Sequence, residues 1–512
     1  MFTVTVREGP GGWYVNTALE TASVHSKSVF MAQTFVADDK FGDVVACLAA
    51  RGWARKTTTA AACDLAWRNL RQTDFEKTDA DRYVNHLRHA QRLSHKATLA
   101  AALFDAGAAF YPRCYDLRRP AHCRRFLDDA ARVAAAAALR LGGPGDATLA
   151  AALVEACAGR AFDGVASLLV NGDSVTTLAA RGGGADPVGA AAALRAFDAQ
   201  AEAMVHGAAG AWVLKPAGGS CGEGIVCSAS LRDLLAAAER QRWRVVVQKY
   251  VERPLTPLGR KFDVRQWVLL SSLRPTLVLW GFTEAYARFA RQTFALTDAS
   301  LRDKFAHLCN HSVQKDAADD LIPGNMWSQA QLRAHLDDTH GAGSFETVVR
   351  PSIRKIAVAV AETAARLGVE RVGRGFEWLG LDILVAEDLT CYLLEANVSP
   401  DVSHSTAVTA ALAPPATEDA LALLLDEGHA RDADAPLAAR RRSALCGDPP
   451  PQSDGPHWEL WLRARAPAPA EQPPARLSDG RADAWWRAEF ARLGQFAPPP
   501  PPPLDASSDE EL

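Results

Sequence analysis

The sequence is short of the features that would place it in a class at once. No apolar run reaches the roughly 18 residues that a membrane-crossing helix needs, so no span is expected. The alanine tract Ala134–Ala138 is bracketed by Arg132 and Arg140 and reads as a surface helix. The first residues, "MFTVTVREGPGGWYV", lack a basic stretch followed by an apolar core, so no secretory signal is expected. The 10 cysteines are scattered without a CxxC pair or a Cys/His metal spacing. That argues against a disulfide framework or a zinc site and for reduced thiols inside a cell. Neither sign of charge dominates: 56 Lys+Arg stand against 60 Asp+Glu, for a formal net charge of −4. Nothing global therefore points to nucleic acid, and any recognition by charge must be a local patch. A Ser-His-Asp or Cys-His nucleophile motif is also missing.

What is present is an ordinary globular composition, 48% hydrophobic and 23% charged over 512 residues, enough for two to four domains. Residues 29–56 read as a strand followed by an amphipathic helix ending near Gly52. Residues 79–107 have a helical pattern, and "FYPRCYDL" (110–117) reads as a Pro-broken strand or turn. From about 124 to 204 the chain is alanine-rich and helical, interrupted by the loop "RGGGADPVG" (181–189). Beyond residue 210, "AWVLK", "RVVVQKY", "KFDVRQWVLL" and "TLVLWGF" are short β-branched or aromatic runs bounded by turn residues, as strands are. A helix follows over 345–367. Then come "WLGLDILVA" and "TCYLLEANV", split by Glu387-Asp388, which read as a hairpin. After about 433 the chain turns rich in Pro, Ala and Arg, with the run Pro498–Pro503 and an acidic end, and reads as a largely disordered tail.

Strand alternation locates the chemistry, because residues i, i+2 and i+4 share a face. Lys261, Asp263 and Arg265 fall on one face of their strand, with Phe262, Val264 and Gln266 on the other. Three charges in a row face either water or a charged cleft. Glu395 and Asn397 share a face of the second hairpin strand, with Asp382 in its partner. Two carboxylates and an amide are hard oxygen ligands of the kind Mg²⁺ takes beside phosphate. Lys215 ends one strand at a loop carrying Gly218, Gly219, Gly222 and Gly224, and Gln248 and Lys249 end another. A backbone without side chains lets a phosphate come close. Lysine, glycine-rich cover, second lysine and distal Glu/Asn pair together resemble the ATP-grasp arrangement.

Within it, "KPAGGSCGEGI", "QKYVERPLTPLGRKFDVRQWVLL", "AYARFARQTF", "HLCNHSVQK", "FEWLGLDILVAEDLTCYLLEANVSP" and "STAVTAAL" resemble, in this order, the tubulin tyrosine ligase-like family. "GWARK", "LRHAQRLSHKATL" and "FYPRCYDL" extend the resemblance, which covers roughly residues 30–430. "NMWS" (325–328) and "SHSTAVTAAL" are most similar to the tubulin glycylase branch. The resemblance implies an α/β (α+β) ATP-grasp-like fold of three domains, with ATP between the central and C-terminal domains. The domains would be an N-terminal extension (1–28), an N-terminal domain (29–95), a central domain (96–250), a C-terminal domain (251–432) and the tail (433–512). It further implies that Lys96, Lys215 and Lys249 bind nucleotide phosphates, with Gln248 near the adenine. Lys261, Asp263, Arg265 and Arg288 would line the cleft around nucleotide and acceptor, Arg288 facing the tetrahedral oxyanion. Asn310 would sit near the reacting phosphate, and Asp382, Glu395 and Asn397 would hold Mg²⁺.

The activity implied is ATP-driven isopeptide formation between glycine and a glutamate side chain of an acidic tubulin tail, in the cytoplasm, on the cytoskeleton or ciliary axoneme. Two other readings stay open: a polyglutamylase of the same family, and a microtubule-binding protein without turnover. One departure stands out. Where relatives read closer to S-R-G-R-G in the glycine loop, this chain has Cys221 and Glu223. Glu223 points outward, pairs with a cation such as Arg288, or weakens nucleotide or tubulin binding in favour of the reading without turnover. In the tail, the proline run is a candidate ligand for a proline-binding partner. Arg440–Arg442 is a candidate contact for acidic tubulin.

Overall fold

The computed structural model describes residues 5–9, 12–16, 33–57, 63–140, 207, 209–219, 222–241, 244–314, 321–426 and 457–469. The loop 181–189, Cys221, Arg440–Arg442 and the proline run lie outside the described residues. The architecture is mixed α/β with several sheets.

β1 (Thr5–Gly9) and β2 (Gly12–Asn16) pair as an antiparallel hairpin. β3 (Thr34–Ala37), the helix Gly42–Ala50, β4 (Ala54–Arg55), β5 (Leu65–Trp67) and β6 (Tyr83–Val84) then build a parallel sheet. The strand and helix expected over 29–56 are both there. The helix expected over 79–107 begins only at Gln91–Ser94 and continues as Lys96–Asp105. Tertiary contacts override the local pattern before it. The buried His86 ring nitrogen Nδ1 lies 2.8 Å from Glu377 Oε1, and the Leu87 N–H donates to Glu377 Oε2 at 2.8 Å. His89, at φ 68°, breaks the helical run.

β7 (Cys114–Asp116), β8 (Trp212–Pro216), β9 (Val226–Ser228) and β10 (Val245–Lys249) form an antiparallel sheet in the order β7-β10-β8-β9. The helix Leu231–Arg240 packs on it through Leu231, Leu234 and Leu235. Ser230 caps that helix by accepting from the Asp233 N–H.

β11 (Arg260–Ser272), β12 (Thr276–Phe282), β13 (Tyr286–Thr293) and β14 (Met326–Ser328) open the largest sheet. β15 (Arg374–Gly375) leaves it to pair with β6, and β16 (Glu377–Val385) and β17 (Cys391–Val398) return as the expected hairpin. β11 carries β13 and β12 in succession along one edge and β16 along the other.

Alternation on β11 sets the two sides of this sheet. Phe262, Val264, Val268 and Leu270 enter a core shared with the helix Arg350–Arg366, through Ile353, Ile356 and Val360. Trp267 and Leu269 enter a second core with Trp378, the helix Gly42–Ala50 and the helix Ala407–Leu421. Each fully buried side chain of this kind contributes about 1.5–3 kcal/mol. Toward the start of β11 the second face is given to Lys261, Asp263 and Arg265 instead, where the sheet meets the β7–β10 sheet across a cleft.

The expected disordered tail is corrected at residues 457–469, where β18 (Trp458–Arg465) adds to β12 antiparallel. The physical reason is apolar burial that composition averages hide. Trp458 and Trp461 are 1% and 5% exposed, and Trp458 Nε1 donates to Ala416 O at 3.0 Å. The Trp461 indole lies so close to β12 that a Cβ at Gly281 would come within 2.0 Å of it. The helix Ala407–Leu425 that Trp458 anchors is 19 residues long with mean hydropathy 1.2, long and apolar enough to cross a membrane. Half of that window is instead buried inside the fold. Truncating Trp458 to alanine is expected to cost about 3–5 kcal/mol by cavity formation. A thermal melt of Trp458→Ala matching the unaltered chain would show that the segment adds nothing to stability.

Candidate functional site

Four neighbouring strands carry one polar ladder. Asp263 on β11 is in register with Arg288 on β13, and Arg265 with Asp382 on β16. Asp382 is in turn opposite Glu395 on β17, and Gly380 opposite Asn397. Arg265 Nε donates to Asp382 Oδ1 at 2.5 Å, and Arg288 Nη2 reaches Asp382 Oδ2 at 2.9 Å. Arg288 also grips Asp263 with two bonds of 2.7 and 2.9 Å. Gly380 leaves room for this: a Cβ there would fall 3.1 Å from Arg265 Nη1. All four charged residues are buried, two cations against two anions. Deleting one member would strand an uncompensated charge, at about 3–5 kcal/mol. Burial alone would raise the Asp382 carboxyl, but the guanidinium groups of Arg265 and Arg288 hold it well below the usual carboxylate range.

A β-bulge aims the far end of the ladder. Between the pairs Asp382/Glu395 and Ile383/Leu393 the register shifts, leaving Leu394 as the extra residue. Leu393 therefore packs into the core behind the sheet, while Glu395 and Asn397 turn to the cleft face beside Asp382. Bulges next to functional sites commonly re-aim side chains in this way. Asn397 Nδ2 donates to Asp382 Oδ2 (3.1 Å) and Glu395 Oε1 (3.2 Å).

The facing wall supplies cations. Lys96 Nζ donates to Gly219 O at 2.8 Å and lies 3.3 Å from Glu395 Oε2, so it ties the glycine loop to the acidic hairpin. Lys215 Nζ donates to Gln248 Oε1 at 2.7 Å. Its removal from water, with Lys96 and Lys261 nearby, pulls its ammonium down to about 8 although Glu395 opposes the change. Gly222, at φ 76°, seats the loop on the segment 308–313: a Cβ there would meet Val313 at 2.9 Å and Leu308 at 3.1 Å. Only glycine fits both that backbone and that contact.

Lys96, Lys215, Gly219, Gly222, Gln248, Lys249, Lys261, Asp263, Asn310, Asp382 and Glu395 thus line one cleft. Three sequence expectations change. Lys249 borders the cleft, but its ammonium is turned inward, donating to Glu252 Oε1 (2.6 Å), Ala211 O (2.8 Å) and Tyr250 O (3.0 Å), and is spent inside the fold. Arg265 and Arg288 sit behind the cleft as the support of Asp382 rather than in its lining. Glu223 is exposed at the rim, and Arg288 is already committed to Asp263 and Asp382, so the pairing of Glu223 with Arg288 is ruled out. Gly224 packs against Pro216 and Gln241. Gly218 and Asn397 line a second cavity that shares Lys96 and Gly219 with the first and adds Arg71, Arg92, Arg119 and Arg244. Sequence reading missed Tyr250, His307, Cys227 and Cys309, which also line the cleft. Tyr250, His307 and Cys309 lie inside the quoted motifs and Cys227 two residues beyond one, which was their only signal.

Among the described residues no group of three or more His, Cys, Asp and Glu could hold a metal ion. The two carboxylates and one amide here form an all-oxygen donor set beside lysines. That suits a hard cation bound together with phosphate, which needs only one or two protein carboxylates.

Residues 189–431 match the tubulin-tyrosine ligase family. The chain carries a tubulin-tyrosine ligase family domain. It is 37% identical over 236 residues to a tubulin monoglycylase of Danio rerio, covering 44% of this chain and 30% of that protein. It is 34% identical over 225 residues to tubulin glycylase 3D of Tetrahymena thermophila (43% and 21%). It is also 34% identical over 243 residues to a protein monoglycylase of Mus musculus (45% and 28%). The match thus spans under a third of the length of these curated relatives. The ligase-family domain holds every ladder residue and Lys215, whereas Lys96 precedes its matched boundary and is brought in by the fold.

The lowered Lys215 ammonium gives the site a pH signature. As pH rises through about 8 the free protein loses this cation, so affinity for inorganic triphosphate is expected to fall. A bound polyanion favours the protonated form, so binding above pH 8 takes up a proton. Calorimetry in buffers of different ionisation heat reads that uptake. Binding by Lys215→Met should be weak and flat across this window, and a flat profile in the unaltered chain would refute the assignment.

Proposed function

We propose that this chain is an ATP-dependent ligase that joins glycine to a glutamate side chain of the acidic tubulin tail through an isopeptide bond. The observation that carries the reading is the cleft itself, where Lys96, Lys215 and Lys261 meet Asp382 and Glu395, with Asn397 bonded to both carboxylates, under a glycine-rich cover. The glycylase names of the relatives favour glycine as the donor. On this reading the β7–β10 sheet and the large sheet are the two jaws of an ATP-grasp fold of three domains.

ATP is a substrate here. Its γ-phosphoryl group passes to the acceptor carboxylate as the bond to the β-phosphate oxygen breaks, giving an acyl phosphate and ADP. The glycine amine then attacks the acyl carbon, forming the C–N bond as the bond to phosphate breaks and the amine gives up a proton. No Ser or Cys nucleophile is required, so the protein's part is positioning and charge. Lys96, Lys215 and Lys261 neutralise phosphate oxygens, and Asn310 lies under the cover loop beside them. Glu395 and Asn397 with Asp382 would hold Mg²⁺, which would add further neutralisation of phosphate charge. Arg265 and Arg288 act through Asp382, as residues that position it. The second cavity, with its arginines, suits the acidic acceptor segment. A tubulin substrate would place the protein on cytoplasmic microtubules, including those of cilia.

Incubation of the purified chain with tubulin, Mg²⁺, ATP and labelled glycine or labelled glutamate tests this. Glycine incorporation is expected, and incorporation of glutamate alone would sink the glycylase reading. Glu395→Gln is expected to lower ligation at least about a hundredfold, the several kcal/mol a bound metal supplies, with an unchanged circular dichroism spectrum. Full activity in that variant would overturn the metal assignment.

A further inference from the structure

Lys261 is held by a hydrogen-bond chain that neither the family match nor the sequence motifs single out. Its Nζ donates to Tyr250 Oη at 2.8 Å and to His307 O at 3.1 Å, and it stands 4.4 Å from the centre of the Tyr250 ring. Tyr250 Oη lies 2.7 Å from His307 Nδ1, and His307 Nε2 lies 3.3 Å from Ser300 Oγ.

The proton directions follow from the first link. An ammonium can only donate, so Tyr250 Oη accepts from Lys261, and the arrangement that also uses its O–H sends that proton to His307 Nδ1. His307 is then the neutral ring protonated at Nε2, which donates to Ser300. Burial and the Lys261 charge agree with this, pulling His307 down to about 4. Phe294 stacks on Tyr250 at 6.4 Å and fixes the ring. Two of the three Lys261 protons are taken by this chain, which leaves the third for the cleft that Lys261 lines.

We propose that Tyr250 and His307 are positioning residues that hold Lys261 with one N–H aimed at a phosphate oxygen of the bound nucleotide. The proposal rests on the nucleotide reading of the cleft. Its consequence is that the Tyr250 hydroxyl and a hydrogen-bond acceptor at the His307 Nδ1 position matter, whereas the imidazole as a base does not.

The test has one readout without nucleotide and one with it. The first is the acetylation rate of Lys261 by a small amine-acylating reagent, followed by peptide mass spectrometry with Lys215 as internal reference. Tyr250→Phe and His307→Leu are expected to raise the Lys261 rate about tenfold relative to Lys215, by freeing the ammonium. His307→Asn, whose Oδ1 stands in for Nδ1, should keep the original rate. The second readout is calorimetric affinity for Mg-ATP and for AMP. Loss of a hydrogen bond that orients a charged group is expected to weaken ATP about tenfold or more in Tyr250→Phe and His307→Leu, with AMP unchanged. His307→Asn should rescue it. Unchanged Lys261 reactivity in folded Tyr250→Phe would overturn the proposal. So would ATP affinity that falls in Lys261→Met yet stays intact in both chain variants. A rise in Lys261 reactivity in a chain that binds no ATP would support the hydrogen-bond chain and refute the nucleotide reading.

Discussion

Asp382 sits between the guanidinium groups of Arg265 and Arg288, and the rest of the cleft is arranged around that contact. A carboxylate this deeply buried is tolerable only because two cations share it: Arg265 is its cross-strand partner, and Arg288 is held in place by Asp263. The arrangement links β13, β11, β16 and β17 sideways, in the direction the backbone ladder already runs. It therefore fixes the relative height of Lys261, Asp382, Glu395 and Asn397 to the precision of sheet register. Arginine is suited to this role because its planar fork grips a carboxylate with two bonds and keeps its charge when buried.

The opposite wall is balanced differently. Lys96 rests against Glu395 across the gap, and Lys215 rests on the neutral Gln248 of its neighbouring strand, so both lysines already have a polar partner. A polyanion entering with a divalent cation would exchange these contacts rather than fill bare charges. Either one alone would leave Glu395 or Lys96 without its present partner. These contacts keep the cleft from being a store of repulsion, and they tie the glycine loop, through the Lys96 contact with Gly219, to the acidic hairpin.

Much of this was legible in the residues themselves. Alternation placed Lys261, Asp263 and Arg265 on one face because a long central strand leaves period two undisturbed. The hairpin around Glu387-Asp388 was equally plain. What alternation could not supply was the bulge at Leu394, since a strict period would set Leu393 beside Glu395. Nor could it tell a cleft-lining charge from one buried behind it. Arg265 and Arg288 needed the register of three strands, and the inward turn of Lys249 depended on Glu252, three residues on. The helix foreseen over 79–107 failed at His86 for a similar reason. A buried partner almost three hundred residues away outweighs local propensity. The tail misled because a short "WELW" run is diluted by the prolines and alanines around it.

That short run has a consequence for where this protein ends as a folded unit. Composition changes near residue 433, and the family match stops at 431. A chain cut there would leave the outer edge of β12 with unpaired N–H and C=O groups. The backbone at Gly281 would face water where an indole now covers it. Open edges of that kind recruit other chains. β18 therefore serves as a stopper on the large sheet, and the boundary drawn by resemblance falls short of the boundary drawn by hydrogen bonding.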